Sequence, residues 1–187
     1  MKSSSGKAPD RLRPQAGAGD GGDAREGFLS HPFAPVADEK ATILILGSFP
    51  SVMSRKNSFY YGNPRNRFWQ VLGCVLGENA PEDINGRKAW LLNHGIALWD
   101  VLASCRIKGS GDTSIREAGA NDIPGLLRRA DIRQVYCNGQ TAGVYYRRLV
   151  QPLTQLQAVV LPSTSPANAA WGLDDLISAW QAVGREN

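Results

Sequence analysis

Four short apolar runs, at residues 41–46, 96–99, 134–137 and 158–161, narrow most sharply what this chain can fold into. Each is too short for a helix and apolar throughout, as strands buried on both faces of a sheet are. Helical periodicities lie between and after them. Residues 67–76 carry Phe68, Val71, Leu72 and Val75, residues 81–93 open on a proline suited to a first helical turn, and 140–150 follow. The stretch 173–183 is the clearest, with Leu173, Leu176, Ile177, Trp180 and Val183 on one face. Strands alternating with helices predict an α/β fold, a three-layer α/β/α sandwich around a central, mainly parallel four-stranded sheet. Ligands bind such sheets beyond the carboxyl ends of the strands. The unusual polar residues stand there: Gly47, Ser48, Phe49, Pro50 and Ser51 after the first run, Asp100 after the second, Asn138 and Gly139 after the third, and residues 162–166 after the fourth.

Residues 1–38 are rich in Gly, Ser, Ala, Pro and charge, with no apolar periodicity before Phe28, Leu29 and Phe33. They are expected to form a disordered leader, followed by one domain over residues 39–187. The leader lacks an apolar secretion core, and no later apolar run has membrane length, so a cytoplasmic protein without membrane contact is expected. The first forty residues hold six basic and six acidic side chains, which cancel, and leave fifteen Lys and Arg against eleven Asp and Glu on the rest. That excess mildly favours a polyanion partner. Cys74, Cys105 and Cys137 are odd in number and widely spaced, each in an apolar segment, which predicts buried free thiols rather than disulfides or a metal site.

The segment from Gly47 to Trp69 reads GSFPSVMSRKNSFYYGNPRNRFW, a loop of about twenty residues, and long irregular loops in compact domains are usually functional. Phe59, Tyr60 and Tyr61 offer faces for a flat base beside Arg55, Lys56, Arg65 and Arg67. On composition alone the plainer reading, core aromatics beside a solvated cationic face, is favoured.

Taken together and in order, GSFPS, YYGNPRNRFW, LWDVL with CRIKGSGD, VYCNG and LPSTSPANA resemble the hypoxanthine-DNA (deoxyinosine) glycosylases, a branch of the uracil-DNA glycosylase superfamily. The resemblance runs from about residue 41 to the C-terminus. It implies the superfamily's α/β/α fold and a monofunctional DNA repair glycosylase that flips hypoxanthine out of DNA and hydrolyses its glycosidic bond. Its partner would be DNA containing deaminated bases, and the enzyme would act as a monomer without metal or cofactor. No lysine stands at a matched catalytic place, so neither a Schiff base nor strand cleavage is implied.

Residue by residue, the resemblance implies the following roles. The superfamily's usual water-holding residue falls on Phe49, which cannot polarise water, so the role passes to Asn66 in the NRFW segment, with Asn63 as second candidate. Asn66 would equally serve as the N-cap of the following helix, and the two roles are compatible. Tyr61, or Tyr60 as its alternate, would stack on the flipped base, and Gly47, Ser48 and Phe49 would contact it. Asp100 stands where uracil-specific relatives place a base-reading Asn. A carboxylate there can accept from N1 of hypoxanthine but donates to O6 only if protonated, so either Asp100 carries a proton or another donor serves O6. A purely structural carboxylate at the strand end is the alternative. Leu161 replaces the usual His, which leaves stabilisation of the departing base to Ser163 or to backbone N–H groups, or makes it matter less because a purine can be protonated at N7. Ser51, Arg65, Arg67, Ser110 and Ser165 would contact DNA, and Pro166, Ala167 and Asn168 would form a wedge filling the hole left by the base. Ser110 and Asp112, in the GSGD loop, would orient the base or the loop itself. His31, in or near the leader, and His94, at a helix end before Gly95, are poor catalytic candidates, and capping suits His94 better.

Two other functions remain open at this level: a glycosylase of the same fold acting mainly on uracil or another deaminated base, and a catalytically silent nucleic-acid-binding module. Phe49, Asp100 and the absent His weigh against the first, and the loss of both usual catalytic residues favours the second.

Overall fold

The computed structural model describes residues 27–107 and 115–185. Ser110 and Asp112 lie outside the described residues. In chain order the elements are β1 (Gly27–Ser30), β2 (Ile43–Gly47), α1 (Val52–Lys56), α2 (Phe68–Leu76), α3 (Ile84–Asn93), β3 (Ile96–Asp100) and β4 (Leu102–Ile107). Then follow β5 (Arg116–Ala120), α4 (Ile123–Leu127), β6 (Gln134–Asn138), α5 (Gln140–Leu149), α6 (Gln151–Thr154), β7 (Ala158–Leu161) and α7 (Leu173–Arg185). The four apolar runs are the strands β2, β3, β6 and β7, which pair in parallel in the order β3-β2-β6-β7. The expected central sheet and three-layer sandwich are thus present.

Their uniform apolarity has a direct cause. Side chains alternate across a strand, so a strand covered on both faces needs an apolar residue at every position. In β2, Ile43, Leu44, Ile45 and Leu46 are all buried. The two covers can be assigned from β6: Tyr136 donates its hydroxyl to the Ala182 carbonyl of α7, while Cys137 points the other way and pairs in register with Val160, against which Gly143 of α5 sits. Helix α7 therefore lies on one face, together with α2, whose Phe68 meets Trp180 edge to face. Helix α5 covers the opposite face. Asp83 caps α3 by accepting the Gly86 N–H at 2.8 Å, and α2 stops at Gly77, which takes a left-handed φ of 73°. His94 is the C-cap of α3, as expected.

Two expectations need correction. Residues 27–38 are not leader in this fold. Strand β1 pairs antiparallel with β4 in a second, three-stranded sheet of order β1-β4-β5. Val36 exchanges both backbone hydrogen bonds with Leu98 at 2.9 and 2.8 Å, extending the central sheet past β3, and is itself buried. The compositional argument failed because a few apolar residues suffice when they add to an existing sheet edge. Cys74 is exposed, whereas Cys105 and Cys137 are buried. It lies one turn beyond the exposed Gln70, on the face of α2 away from Phe68, Val71 and Leu72.

No helix among the described residues is long and apolar enough to cross a membrane. A chain beginning at Lys40 should lose about 3 kcal/mol or more of stability relative to one beginning at Gly27, since it forfeits the burial of Val36 and its paired hydrogen bonds. Denaturant unfolding of the two chains measures this, and equal midpoints would show that residues 27–38 are dispensable to the fold. Burial pushes the Cys137 thiol up to about 12, so it stays protonated and unreactive through neutral pH. Native alkylation at pH 8 should therefore modify Cys74 alone, with all three cysteines reacting after denaturation, as mass spectrometry would read.

Candidate active site

From β2 the chain goes on to its neighbour β3 on one side, and from β6 to its neighbour β7 on the other. The ends of β2 and β6 therefore diverge at a topological switch point, where open α/β sheets leave a crevice. A cleft of about 770 Å³ opens there, a size that takes a nucleoside. Gly47, Ser48 and Phe49 enter it from the end of β2, Asp100 from β3, Asn138 and Gly139 from β6, and Leu161, Pro162 and Ser163 from β7. The long loop contributes Tyr60, Tyr61 and Asn66, and the segment before α7 contributes Ala167, Asn168 and Trp171.

Gly47 and Asp100 are register partners. A Cβ on Gly47 would stand 2.1 Å from Asp100 Oδ1 and 3.2 Å from the Tyr61 hydroxyl oxygen, so only glycine lets the carboxyl and the phenol converge there. Tyr61 has a left-handed φ of 51°, a conformation that costs a non-glycine residue about 1–2 kcal/mol. Its ring stacks on Phe68 with centroids 3.9 Å apart and planes within 17°, which fixes one face on the core and leaves the other side to the cleft. Tyr60 is buried and donates to the Ala34 carbonyl at 2.8 Å. Burial first, then the carboxylate of Asp100 and the Tyr61 phenol, raise the Tyr60 phenol far above its ordinary range, so it stays a neutral donor.

Asn66 belongs to a chain of polar side chains whose orientation can be read without ambiguity. Backbone N–H groups can only donate, so the Phe68 N–H at 3.0 Å identifies the Asn66 oxygen, and the Thr164 N–H at 3.0 Å identifies that of Asn138. The Asn138 amide then donates to the Thr164 hydroxyl at 2.9 Å, and that hydroxyl donates to the Asn66 oxygen at 2.9 Å. Thr164 is fully buried, and the Arg67 N–H donates to its carbonyl at 3.1 Å. With its oxygen taken twice, Asn66 has only its NH2 group left for the cleft, and that group has no partner among the described residues. The N-cap position of α2 falls on Arg67, which makes no side-chain capping bond, one residue later than expected; the Asn66 oxygen still accepts the N–H of Phe68, the first residue of the helix, so the two roles foreseen for Asn66 fall to opposite ends of one amide.

Other expected site residues are placed differently. Asn63 spends its side-chain oxygen on the Arg65 N–H at 3.0 Å and does not line the cleft, because it closes the turn ahead of Asn66. Arg67 was expected to meet phosphate, but its guanidinium donates to the carbonyls of Ser165, Asn168 and Trp171, tying the loop before α7 to α2. Arg65 is exposed. Ser51 caps α1 by accepting the Ser54 N–H at 3.2 Å and also lines the cleft. Ser163 accepts the Ser165 N–H and Ser165 accepts the Ala167 N–H, a local ladder that leaves Pro166 and Ala167 exposed at the tip. Asn168 donates to the Ser163 carbonyl at 2.8 Å, which folds this tip back over the cleft.

The family model of the uracil DNA glycosylase superfamily matches residues 34–184. The chain belongs to that superfamily. It is 39% identical over 163 residues to the hypoxanthine DNA glycosylase of Methanosarcina acetivorans, covering 84% of this chain and 99% of the relative. It is 36% identical over 142 residues to the hypoxanthine DNA glycosylase of Methanosarcina barkeri, covering 73% and 86%. Its fold matches the solution structure of a candidate uracil DNA glycosylase from Methanosarcina acetivorans with a TM-score of 0.73 and 35% identity, over 85% of this chain and 98% of the other.

Sequence reasoning about this superfamily member missed Thr164, Trp171 and His31. Thr164 was hidden inside a Ser/Thr/Pro turn, where hydroxyls ordinarily serve the turn itself. Trp171 is 39% exposed at the cleft's rim, and an aromatic outside the periodic stripe of α7 was the available signal. His31 Nε2 lies 2.8 Å from Asp100 Oδ2, and its neighbours Leu29 and Phe33 were the only hint that it is folded in.

The Asn138–Thr164–Asn66 chain has a stability consequence. Thr164→Val should cost about 1–3 kcal/mol, because the half-buried Asn138 amide loses its acceptor and the Asn66 oxygen one of its donors while the shape is kept. Thr164→Ser keeps the hydroxyl and should cost about 1 kcal/mol or less. Urea unfolding would decide, and a Val variant as stable as the Ser variant would show that the chain of bonds contributes nothing.

Proposed function

We propose that this superfamily member is a monofunctional DNA glycosylase that excises hypoxanthine from DNA, acting as a monomer in the cytoplasm without a metal or cofactor. The observation that carries the proposal is the pairing within one cleft of an acceptor, Asp100 Oδ1, with an amide donor, Asn66 NH2, whose direction is fixed by backbone. The names of the two curated Methanosarcina relatives support it.

The reaction is hydrolysis of the N9–C1′ bond. As that bond breaks, its electron pair leaves with the purine, which takes up a proton, and the sugar gains oxocarbenium character until a water oxygen bonds to C1′ and releases its own proton. Such a transition state needs a positioned water more than a deprotonated one. The Asn66 NH2 can hold the water's oxygen by donation and cannot act as a base, which matches that demand. Tyr61, backed by Phe68, offers a stacking face to the extruded base. Asp100 Oδ1 accepts from the imino N1–H, the edge group that hypoxanthine has and adenine lacks. Ser163 and backbone N–H groups near Gly139 are left to stabilise the departing purine, since Leu161 supplies no donor. Exposed Arg65, with Ser51 and Ser165, would meet phosphates, and Pro166, Ala167 and Asn168 form the wedge.

Single-turnover assays on duplexes carrying one hypoxanthine, uracil, xanthine or unmodified adenine test this. Hypoxanthine should be released fastest and adenine not at all. Preferential release of uracil would give the chain a different substrate, and release of no base would make it a binding module. Asn66→Ala should slow release by roughly two to three orders of magnitude with little change in affinity for an uncleavable analogue. Asn66→Asp keeps both accepted hydrogen bonds but loses the donor, so it should stay folded and be comparably slow. Near-normal release by Asn66→Asp would assign the water to an acceptor oxygen instead.

A further inference from the structure

His31 lies outside every motif that marks the superfamily, yet it reaches the cleft through one atom. Its Nε2 is 2.8 Å from Asp100 Oδ2, and the two side chains are 2% and 6% exposed. The imidazole is held on every side. Phe33 and Phe49 meet it edge-on at centroid distances of 5.3 and 6.0 Å, and Tyr60 tilts against it at 6.1 Å. Nδ1 lies 3.2 Å from the Phe33 nitrogen and 3.0 Å from the Phe33 oxygen, so it has a backbone partner whether it accepts or donates.

Asp100 is fixed from its other end as well. Its carbonyl accepts the Asn121 amide at 2.9 Å, and its Oδ1 rests on Gly47. A carboxylate's two oxygens are equivalent, so an unclamped Asp100 could turn either one to the cleft, or turn both aside. A donor on Oδ2 removes that freedom. It also satisfies Oδ2 and leaves Oδ1, the oxygen beside Gly47, as the acceptor at the cleft wall.

We propose that His31 is a specificity-determining positioning residue: by donating Nε2–H to Asp100 Oδ2 it sets Asp100 Oδ1 as a fixed acceptor for the imino N–H of a flipped deaminated base. Adenine presents a bare ring nitrogen at that place, and two acceptors facing each other in a partly desolvated cleft repel. The segment containing residues 27–38 thereby joins the site as well as the sheet edge. The inference rests on the proposed base-excision function, and on Asp100 facing the base.

The test is a double-mutant cycle in the full chain, read by single-turnover release of hypoxanthine. His31→Leu in the otherwise unchanged protein should slow release roughly 10- to 100-fold, the equivalent of one hydrogen bond to a charged group. His31→Gln, whose amide can still donate to Oδ2, should recover most of that loss. In an Asp100→Ala background, His31→Leu should add less than about two-fold, because nothing is left for it to position. Melting temperatures of all five proteins accompany the rates. An equal loss from His31→Leu in both backgrounds, failure of Gln to rescue, or no loss at all would each overturn the proposal. If hypoxanthine is untouched but another imino base is released, the proposed substrate falls and the cycle is read on that base. If no base is released, both fall.

Discussion

Strands β2 and β3 run in parallel and end level, with Gly47 opposite Asp100, and the site is built outward from that coincidence. Parallel register brings the ends of neighbouring strands to one edge of the sheet, which is where backbone groups run out of strand partners and side chains must take over. Here the Val101 and Leu102 N–H groups donate to the Gly47 and Ser48 carbonyls at 2.9 and 3.1 Å, so the chain is held for two residues past the end of β3. The carboxyl of Asp100 is thereby placed over Gly47, and any side chain at position 47 would push it away. Tyr61 brings its phenol to the same point from a left-handed backbone conformation, with its ring stacked on Phe68. One small residue thus determines where an acceptor, an aromatic face and the cleft floor meet.

The opposite wall depends on a different constraint, satisfaction of buried polar groups. Thr164 has no access to solvent, so its N–H and hydroxyl must find partners within the protein. They find them in Asn138, at the end of β6, and in Asn66, at the start of α2. Three elements far apart in sequence are therefore joined by one uninterrupted set of bonds. Arg67 adds a second tie by donating to three carbonyls of the loop before α7. That spends a cation on architecture, and it gives the exposed tip at Pro166 and Ala167 a rigid base from which a wedge could act.

What could be read from the sequence follows from how local the responsible physics is. The strands β2, β3, β6 and β7 and the helices α2, α5 and α7 came from periodicity alone, because burial on one or two faces writes itself into consecutive residues. The β1-β4-β5 sheet left no such trace: Phe28 is 57% exposed, and β5 reads Arg-Glu-Ala-Gly-Ala, so neither alternates clearly. Arg67 and Asn63 were misplaced because charge and amide chemistry suit phosphate or water as well as they suit a carbonyl or a turn. Only the partner decides between those uses, and the partner of Arg67 is about a hundred residues away in the chain. His31 was discounted for the same reason, since its role depends on Asp100, 69 residues later.

The direction of the Asn66 amide bears on how the superfamily's chemistry can proceed where its first motif carries Phe49. A carboxylate near C1′ could take a proton from water, and a free amide oxygen could at least accept its hydrogen bond and so raise its nucleophilicity. In this chain the Asn66 oxygen already accepts from Phe68 and Thr164, and turning the amide over would set its NH2 against the Phe68 N–H, donor against donor. That flip would cost at least the two hydrogen bonds, about 1–3 kcal/mol. Activation of water by Asn66 is therefore disfavoured by the fold itself, and under the proposed function departure of the base would carry more of the barrier. A purine suits that arrangement better than a pyrimidine does, because its ring nitrogens offer sites where a proton can neutralise the leaving group. The loss of a water-activating residue at position 49 and the replacement of the usual His by Leu161 are then consistent with each other: both become tolerable when bond breaking runs well ahead of attack.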